Sequence, residues 1–174
     1  MVDNSYFDSM QTSTGVSVGE LSSRGPVLLV FLRHFGCVFC REALKDIAKK
    51  KSQWVERGVQ VVFVHMSDTK TADSYFSKYD LADMPHVSDP DCLTYAKFGL
   101  TKGSVGQLFG LQNWVRGIEV TVTGKALPTL KQLGDGFQMP GIFLVTGREI
   151  RQSFIHKTAS DKPDYEGIID CCAV

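Results

Sequence analysis

The chain has 174 residues, of which 43% are hydrophobic and 22% are charged. These values are typical of a globular protein with a substantial core, and they exclude wholesale disorder. The 19 basic and 19 acidic residues give a formal net charge of zero, which argues against nucleic acid or an anionic membrane surface as the main partner.

The N-terminus and the cysteine count indicate where the protein works. Residues 1–10 are polar and lack the basic and apolar regions of a secretory signal, and the longest apolar run, at residues 27–32, is too short to span a bilayer. Five cysteines are an odd number and few for this length, which favours a reducing compartment over a secreted disulfide framework. We therefore expect a cytoplasmic protein with no membrane partner.

The first third of the chain predicts a strand followed by a helix. Residues 1–25 form a polar extension in which residues 16–18 alternate like a short edge strand. Residues 27–32 predict a central strand buried on both faces, since the run is continuously apolar and rich in valine. Residues 38–57 have helical spacing, and Gly58 is a helix stop.

The remaining residues continue the alternation of strands and helices. A strand, a helix, a short strand and a helix are predicted at residues 59–65, 70–79, 85–88 and 90–99. Residues 100–138 have no clear pattern, and we expect an elaboration near the active-site edge. A hairpin and a final helix follow at residues 141–155 and 161–170. We find no linker or repeat, so the pattern predicts a single α/β domain over residues 1–174 with a central mixed, mostly parallel sheet flanked by helices.

The chemistry is expected at Cys37 and Cys40, which form a C-x-x-C motif between the first long strand and its helix. This context is typical of thioredoxin-like redox sites. We expect Cys37 to be the exposed nucleophile, because the helix N-terminus lowers the pKa of a thiol placed there. Cys40 lies one turn further and can resolve a mixed disulfide at Cys37. Arg33 and His34 can add positive charge.

Two other interpretations of the cysteine pair stay open. The pair can be half of a metal site or two inert buried thiols, but structural zinc usually needs four protein ligands, and the remaining cysteines and four histidines have no matching spacing. We therefore expect no metal and no cofactor. A redox-sensing or binding module without turnover and a metal chaperone remain the alternatives to an enzyme.

Met139-Pro140 precedes the strand predicted at residue 141. Proline suits the first position of a strand because it lacks a backbone donor. It can instead be a cis-proline that leaves the Met139 backbone free to pair with a disulfide substrate. Pro140 is thus a candidate substrate-binding residue.

Four stretches resemble the peroxiredoxin-like branch of the AhpC/TSA group (alkyl hydroperoxide reductase, thiol-specific antioxidant). The most specific is residues 31–44, FLRHFGCVFCREAL; residues 61–68, 88–100 and 140–148 agree with it. The resemblance implies a thioredoxin-like fold and an antioxidant thiol oxidoreductase that reduces disulfides or hydroperoxides. It also implies regeneration by an external thiol reductant such as a thioredoxin or glutathione system.

The chain departs from typical members of this group, which carry an upstream proline, a Thr or Ser three residues before the peroxidatic cysteine, and a distant arginine. His34 stands three residues before Cys37, and Met139-Pro140 stands where the arginine is expected. Peroxide reduction then requires Arg33, His34 or Arg116 to replace the groups that bind and polarise the peroxide.

Overall fold

The computed structural model describes residues 2–104 and 135–171. Most of the elaboration expected at residues 100–138, including Arg116, lies outside these described residues. None of the helices in this part of the chain is long and apolar enough to cross a lipid bilayer. In chain order the elements are α1 (Asn4–Ser9), α2 (Val18–Arg24), β1 (Val27–Phe31), α3 (Val38–Glu56), β2 (Gln60–His65), α4 (Thr69–Ser77), β3 (His86–Ser88), α5 (Leu93–Lys97), β4 (Gly141–Thr146), β5 (Glu149–Ile155) and α6 (Tyr165–Asp170).

The five strands form one sheet in the order β3-β2-β1-β4-β5. β1 pairs in parallel with β2 and antiparallel with β4, and the outer pairings are parallel for β2–β3 and antiparallel for β4–β5. The mixed α/β sheet is therefore confirmed. Its central strand is β1, whose five residues are all buried, as the apolar run predicted.

Side chains of β1 alternate between two cores, one on each face of the sheet. Leu28 and Val30 belong to the first core, which α3, α4 and α6 complete with Leu44, Ile47, Trp54, Ala72, Phe76, Tyr165 and Ile169. Leu29 and Phe31 belong to the second core, which α1, α2 and the region of α5 complete with Phe7, Val18, Leu21, Tyr95 and Phe98. Because both faces of β1 are covered, its C-terminal end is held rigidly where the cysteine motif begins.

The prediction of an edge strand at residues 16–18 is wrong. Ser17 instead caps α2, and its hydroxyl accepts a hydrogen bond from the Glu20 backbone N–H at 3.1 Å. The S-x-x-E spacing is that of a capping box, so the signal for a helix was present in the sequence. Val18 is fully buried against the second core, which explains why this short helix is held in place.

α5 begins at Leu93, later than predicted. The Asp89 carboxylate accepts hydrogen bonds from the backbone N–H groups of Leu93, Thr94 and Tyr95. Asp89 thus satisfies the free donors of the first turn, and the intervening residues form a turn in which Cys92 has a φ of 57°.

The last helix also begins later than predicted, at Tyr165 rather than near Asp161. The Asp161 carboxylate accepts from the preceding amides of Lys157 and Thr158, so it closes a turn instead of capping a helix. Asp164 takes the capping role through the N–H of Gly167.

Shortening Leu44 to alanine should cost about 2–5 kcal/mol of unfolding free energy, because Leu44 is fully buried in the first core. Val55→Ala is the matched control, since Val55 lies on the same helix but is 54% exposed, and we expect it to cost less than ~0.5 kcal/mol. Urea denaturation followed by circular dichroism measures both values. Equal losses in the two variants would contradict the packing of α3 described above.

Candidate active site

The end of β1 brings the cysteine motif to the helix N-terminus. Leu32 extends the pairing of β1, since its N–H donates to the Val64 carbonyl at 2.8 Å. The chain then turns, and the Cys37 N–H donates to the His34 carbonyl at 2.9 Å. Cys37 is the N-cap residue of α3, and Cys40 lies in its first turn. The predicted strand–C-x-x-C–helix arrangement is therefore confirmed.

Both sulfurs belong to free thiols, and both residues are buried, with 6% exposure for Cys37 and 5% for Cys40. The expectation that Cys37 is exposed is wrong. The physical reason is that the Arg33 side chain covers the thiol. This side chain also donates a hydrogen bond to the carbonyl of Gly136, which lies in the segment before β4. Access to Cys37 is therefore through a cavity rather than from an open surface.

The two thiols differ in acidity. A hydrogen bond from Cys40 lowers the pKa of Cys37 below its ordinary value, and Arg33 and the backbone amides of Cys40 and Phe39 lower it further, although burial opposes them. The same hydrogen bond and burial raise the pKa of Cys40. A thiol with an ordinary pKa of ~8.5 is about 3% ionised at pH 7, and each unit of lowering raises the thiolate population up to about tenfold. These opposite shifts favour the thiolate at Cys37 rather than at Cys40.

Arg33 is the residue that connects the two sulfurs. Its side chain is buried, and its Nη1 donates to Cys37 Sγ at 3.4 Å. Its backbone N–H donates to Cys40 Sγ at 3.2 Å. A buried guanidinium is costly without a counter-charge, and the Cys37 thiolate supplies one.

His34 does not contribute the positive charge considered from the sequence. Burial, and then the charge of Arg33, lower the pKa of His34 to about 4, so the ring is neutral at pH 7. Its role in catalysis stays a prediction.

Pro140 is not a cis-proline, since the described residues contain no cis peptide bond. The Met139 N–H donates to the Thr101 carbonyl at 3.2 Å, and the Met139 carbonyl accepts from Gln138 Nε2 at 3.3 Å. The Met139 backbone is thus engaged within the protein and is not free to pair with a substrate. Pro140 nevertheless lines the cavity beside the thiols.

A cavity of about 50 Å³ lies beside the cysteine pair. Its apolar wall includes Phe39, Pro140, Ile142, Ala159 and Tyr165, and its polar groups include Arg33, Glu42, Asp46, His156 and Lys162, together with both cysteines. A water molecule needs roughly 10–15 Å³ of such space, so the cavity can hold a few waters or the reactive end of a small ligand.

Sequence reasoning did not single out Glu42, His156, Lys162 or Tyr165 as parts of this site. Of the last three, His156 and Lys162 lie between β5 and α6 and Tyr165 begins α6, far from the motif in sequence, so only the tertiary fold brings them to α3. Glu42 lies two residues after the motif, and its Oε1 is 3.7 Å from Nζ of the distant Lys162. No sequence signal distinguishes it from an exposed helix residue.

The other cysteines lie apart from the pair. Cys92 is partly buried against the second core, on the opposite face of the sheet from α3, and burial raises its pKa. Cys171 is exposed at the end of α6, and Cys172 lies outside the described residues. The structure therefore assigns none of them to the site.

Two buried histidines of the sheet, His65 and His86, hydrogen-bond with each other. His65 Nε2 lies 2.8 Å from His86 Nδ1, and His86 Nε2 lies 2.9 Å from the Asp73 carboxylate. Within residues 2–104 and 135–171, no group of three or more histidine, cysteine or carboxylate side chains is arranged to hold a metal ion.

Comparison with known proteins places this site in context. The sequence model of the AhpC/TSA family matches residues 8–152. Thioredoxin-like protein AAED1 of Arabidopsis thaliana, a chloroplast protein, is 25% identical over 91% of this chain and 66% of its own length. Peroxiredoxin-like 2C of Bos taurus is 28% identical over 81% of this chain and 64% of its own length. The chain thus spans about two thirds of these curated relatives.

Solved structures show the same fold. Peroxiredoxin Q of Xanthomonas campestris superimposes with a TM-score of 0.66 over 99% of this chain and 93% of that protein, at 17% sequence identity. The thioredoxin-like fold expected from the sequence is thereby confirmed.

Replacing Arg33 with glutamine should raise the pKa of Cys37, because the thiolate loses a buried positive charge. We expect the rate of Cys37 alkylation by iodoacetamide at pH 7 to fall by about tenfold, which corresponds to about one pKa unit. Mass spectrometry of the alkylated peptide across a pH series measures this.

Arg41→Gln is the matched control, since Arg41 lies in the first turn of α3 but donates through Nε to the Tyr79 hydroxyl at 3.0 Å. An unchanged pH midpoint in Arg33→Gln, or an equal shift in Arg41→Gln, would contradict the assignment of Arg33.

Proposed function

Because the chain belongs to the AhpC/TSA family, we propose that it is a thiol-dependent oxidoreductase in which Cys37 and Cys40 reduce a hydroperoxide or a disulfide. The observation that carries this proposal is the contact of Arg33 with Cys37 at the N-terminus of α3, beside a second thiol one turn along the helix. This arrangement favours one thiolate and one neutral thiol, which is the starting state that two-step thiol chemistry needs.

In the first step the Cys37 thiolate attacks the substrate. With a hydroperoxide, it attacks the terminal oxygen, the O–O bond breaks, Cys37 becomes a sulfenic acid and the alcohol leaves after taking a proton. The Arg33 guanidinium donates to the Cys37 sulfur and can also donate hydrogen bonds to the peroxide oxygens. It thereby takes the role that a distant arginine has in typical members of the family.

In the second step Cys40 attacks the Cys37 sulfur. A Cys37–Cys40 disulfide forms and water leaves from the sulfenic acid, or a thiol leaves when the substrate was a disulfide. The loop between the cysteines is one helical turn, so the two sulfurs can approach without rearrangement of the sheet. An external thiol system such as thioredoxin or glutathione then reduces the disulfide.

The surroundings of Cys37 favour a hydroperoxide over a protein disulfide. Cys37 is 6% exposed, and the cavity beside it measures about 50 Å³. The Met139 backbone is already hydrogen-bonded to Thr101 and Gln138, so a disulfide-bearing peptide has no free backbone there to pair with. A small hydroperoxide needs neither a free edge nor an open surface.

We place the protein in a reducing compartment such as the cytoplasm. The odd number of cysteines and the need for a thiol reductant support this location.

The roles of the two cysteines can be separated with one equivalent of hydroperoxide. We expect the wild-type protein to form the Cys37–Cys40 disulfide, Cys37→Ser to leave Cys40 unoxidised, and Cys40→Ser to accumulate sulfenic acid at Cys37, because the resolving thiol is missing. Mass spectrometry after trapping with dimedone measures each species. Sulfenic acid at Cys40 in Cys37→Ser would reverse the assigned roles, and a wild-type protein that stays fully reduced would exclude hydroperoxide reduction.

A further inference from the structure

Tyr95 approaches the end of β1 from the face of the sheet opposite to α3. Its side chain is fully buried in the second core, and its ring meets the Phe31 ring edge-on, with 5.1 Å between the centroids. Its backbone N–H donates to the Asp89 carboxylate in the first turn of α5. Because packing and this hydrogen bond fix the ring, its hydroxyl has a defined position at the end of β1.

The Tyr95 hydroxyl donates a hydrogen bond to the Leu32 carbonyl. It also lies 3.0 Å from the Val64 carbonyl, but that oxygen already accepts the Leu32 N–H at 2.8 Å. Since a hydroxyl has a single proton to donate, we assign it to the Leu32 carbonyl. Burial raises the pKa of Tyr95 well above its ordinary value, so the phenol stays protonated and remains a donor.

The Leu32 carbonyl and the Arg33 N–H belong to the same peptide unit. That N–H donates to Cys40 Sγ at 3.2 Å. The hydrogen bonds therefore form one line, from the Tyr95 hydroxyl through this peptide unit to the Cys40 sulfur. A donor on the carbonyl oxygen polarises the amide, because the peptide bond is a resonance system, and it strengthens the N–H as a donor. Such cooperativity adds about 10–30% to the strength of each hydrogen bond in a chain.

Cys40 needs support for negative charge in the second step of the reaction. The hydrogen bond with Cys37, and then burial, raise the pKa of Cys40, whereas the backbone amides of His34 and Arg33 lower it. Once Cys37 carries oxygen or substrate, Cys40 must become negative as it attacks, because the thiolate is the nucleophile. The Arg33 N–H is then a donor already aimed at the sulfur on which the charge develops.

We propose that Tyr95 stabilises the negative charge that develops on Cys40 during disulfide closure, acting through the Leu32–Arg33 peptide unit. The Cys40 proton passes to solvent water, and the electron pair of its sulfur forms the S–S bond. The bond from Cys37 to oxygen, or to the substrate sulfur, breaks, and the leaving hydroxide or thiolate keeps that electron pair and takes up a proton. Tyr95 acts through the peptide rather than on a sulfur, so it is a positioning residue, and the inference rests on the proposed function.

The first test separates the two steps with one equivalent of dithiodipyridine, a disulfide that releases a coloured thione at each thiol attack. In stopped-flow experiments the first release reports attack by Cys37, and the second reports closure by Cys40. Tyr95→Phe keeps the ring and removes only the hydroxyl. We expect it to leave the first rate within about twofold and to slow closure about fivefold at pH 7, because the Arg33 N–H becomes a weaker donor. The pH midpoint of closure should rise by about 0.7 unit, which corresponds to that fivefold change.

Two matched variants distinguish this effect from a loss of packing. Tyr6→Phe removes a hydroxyl that lies 3.2 Å from Thr94 Oγ1 beside the same core, and it should leave both phases unchanged. Phe98→Leu weakens the packing on Phe31, whose ring centroid lies 4.8 Å away, but keeps the Tyr95 hydroxyl. It should lower the stability without moving the pH midpoint of closure. An unmoved midpoint in Tyr95→Phe, or an equal rise in Phe98→Leu, would overturn the role of Tyr95.

The second test observes the peptide unit in the reduced protein, without any reaction. Leu32–Arg33 is the only place in the sequence where an arginine follows a leucine, so ¹³C at leucine carbonyls and ¹⁵N at arginine amides give one carbonyl–amide correlation. We expect Tyr95→Phe to move both the carbonyl carbon and the amide proton upfield, because both hydrogen bonds weaken. A shift of the carbonyl carbon with an unchanged amide proton would overturn the transmission through the peptide.

The same coupling is measurable in the wild-type protein, which keeps the test decisive if Tyr95→Phe does not fold. The Leu32 carbonyl carbon and the hydroxyl-bearing ring carbon of Tyr95 should both shift as Cys40 ionises, and a Tyr95 carbon that does not respond would overturn the proposal. A missing first thione release in the wild-type protein, with these shifts present, would instead overturn the proposed function and leave the hydrogen-bonded line intact.

Discussion

Arg33 holds the sulfur of Cys37 with its side chain and the sulfur of Cys40 with its backbone, at 3.4 and 3.2 Å. This double contact is the constraint on which the site depends. The residue is buried, so its charge needs a partner inside the protein, and a buried thiolate needs one equally. Each charge offsets the cost of burying the other. The central strand β1 makes this possible, because a strand packed on both faces fixes the backbone from which Arg33 extends.

The same geometry gives the two thiols opposite characters. The hydrogen bond between them lowers the pKa of Cys37 and raises that of Cys40, which favours a thiolate at Cys37 and a thiol at Cys40. Once Cys37 has reacted, its negative charge is gone, and Cys40 becomes the thiol that must ionise. The Arg33 backbone N–H still donates to the Cys40 sulfur at that point, which favours its ionised form.

Local patterns in the sequence were enough to predict most of the elements and the reactive pair. The apolar run that became β1, the helical spacing of α3 and the C-x-x-C between them are all short-range signals. The helix after Ser17 was also signalled by its S-x-x-E spacing, although the alternation of two valines predicted a strand there. Pro140 was the opposite case: the Met139 backbone before it is hydrogen-bonded to Thr101 and Gln138, and no local pattern reports the contact with Thr101. The burial of Cys37 escaped prediction for the same reason, since Arg33 lies on its sulfur and is held by the Gly136 carbonyl, far away in the sequence.

The central claim is that Cys37 is a thiolate and Cys40 a thiol in the reduced protein near neutral pH. Nuclear magnetic resonance of protein labelled with ¹³C at the cysteine β-carbons follows each sulfur separately through a pH titration. We predict that the Cys37 signal changes below the ordinary thiol range, with its midpoint well under the ~8.5 of a free cysteine, while Cys40 completes its change only above that value. A Cys37 signal that titrates at or above ~8.5, or a Cys40 signal that titrates first, would contradict the account.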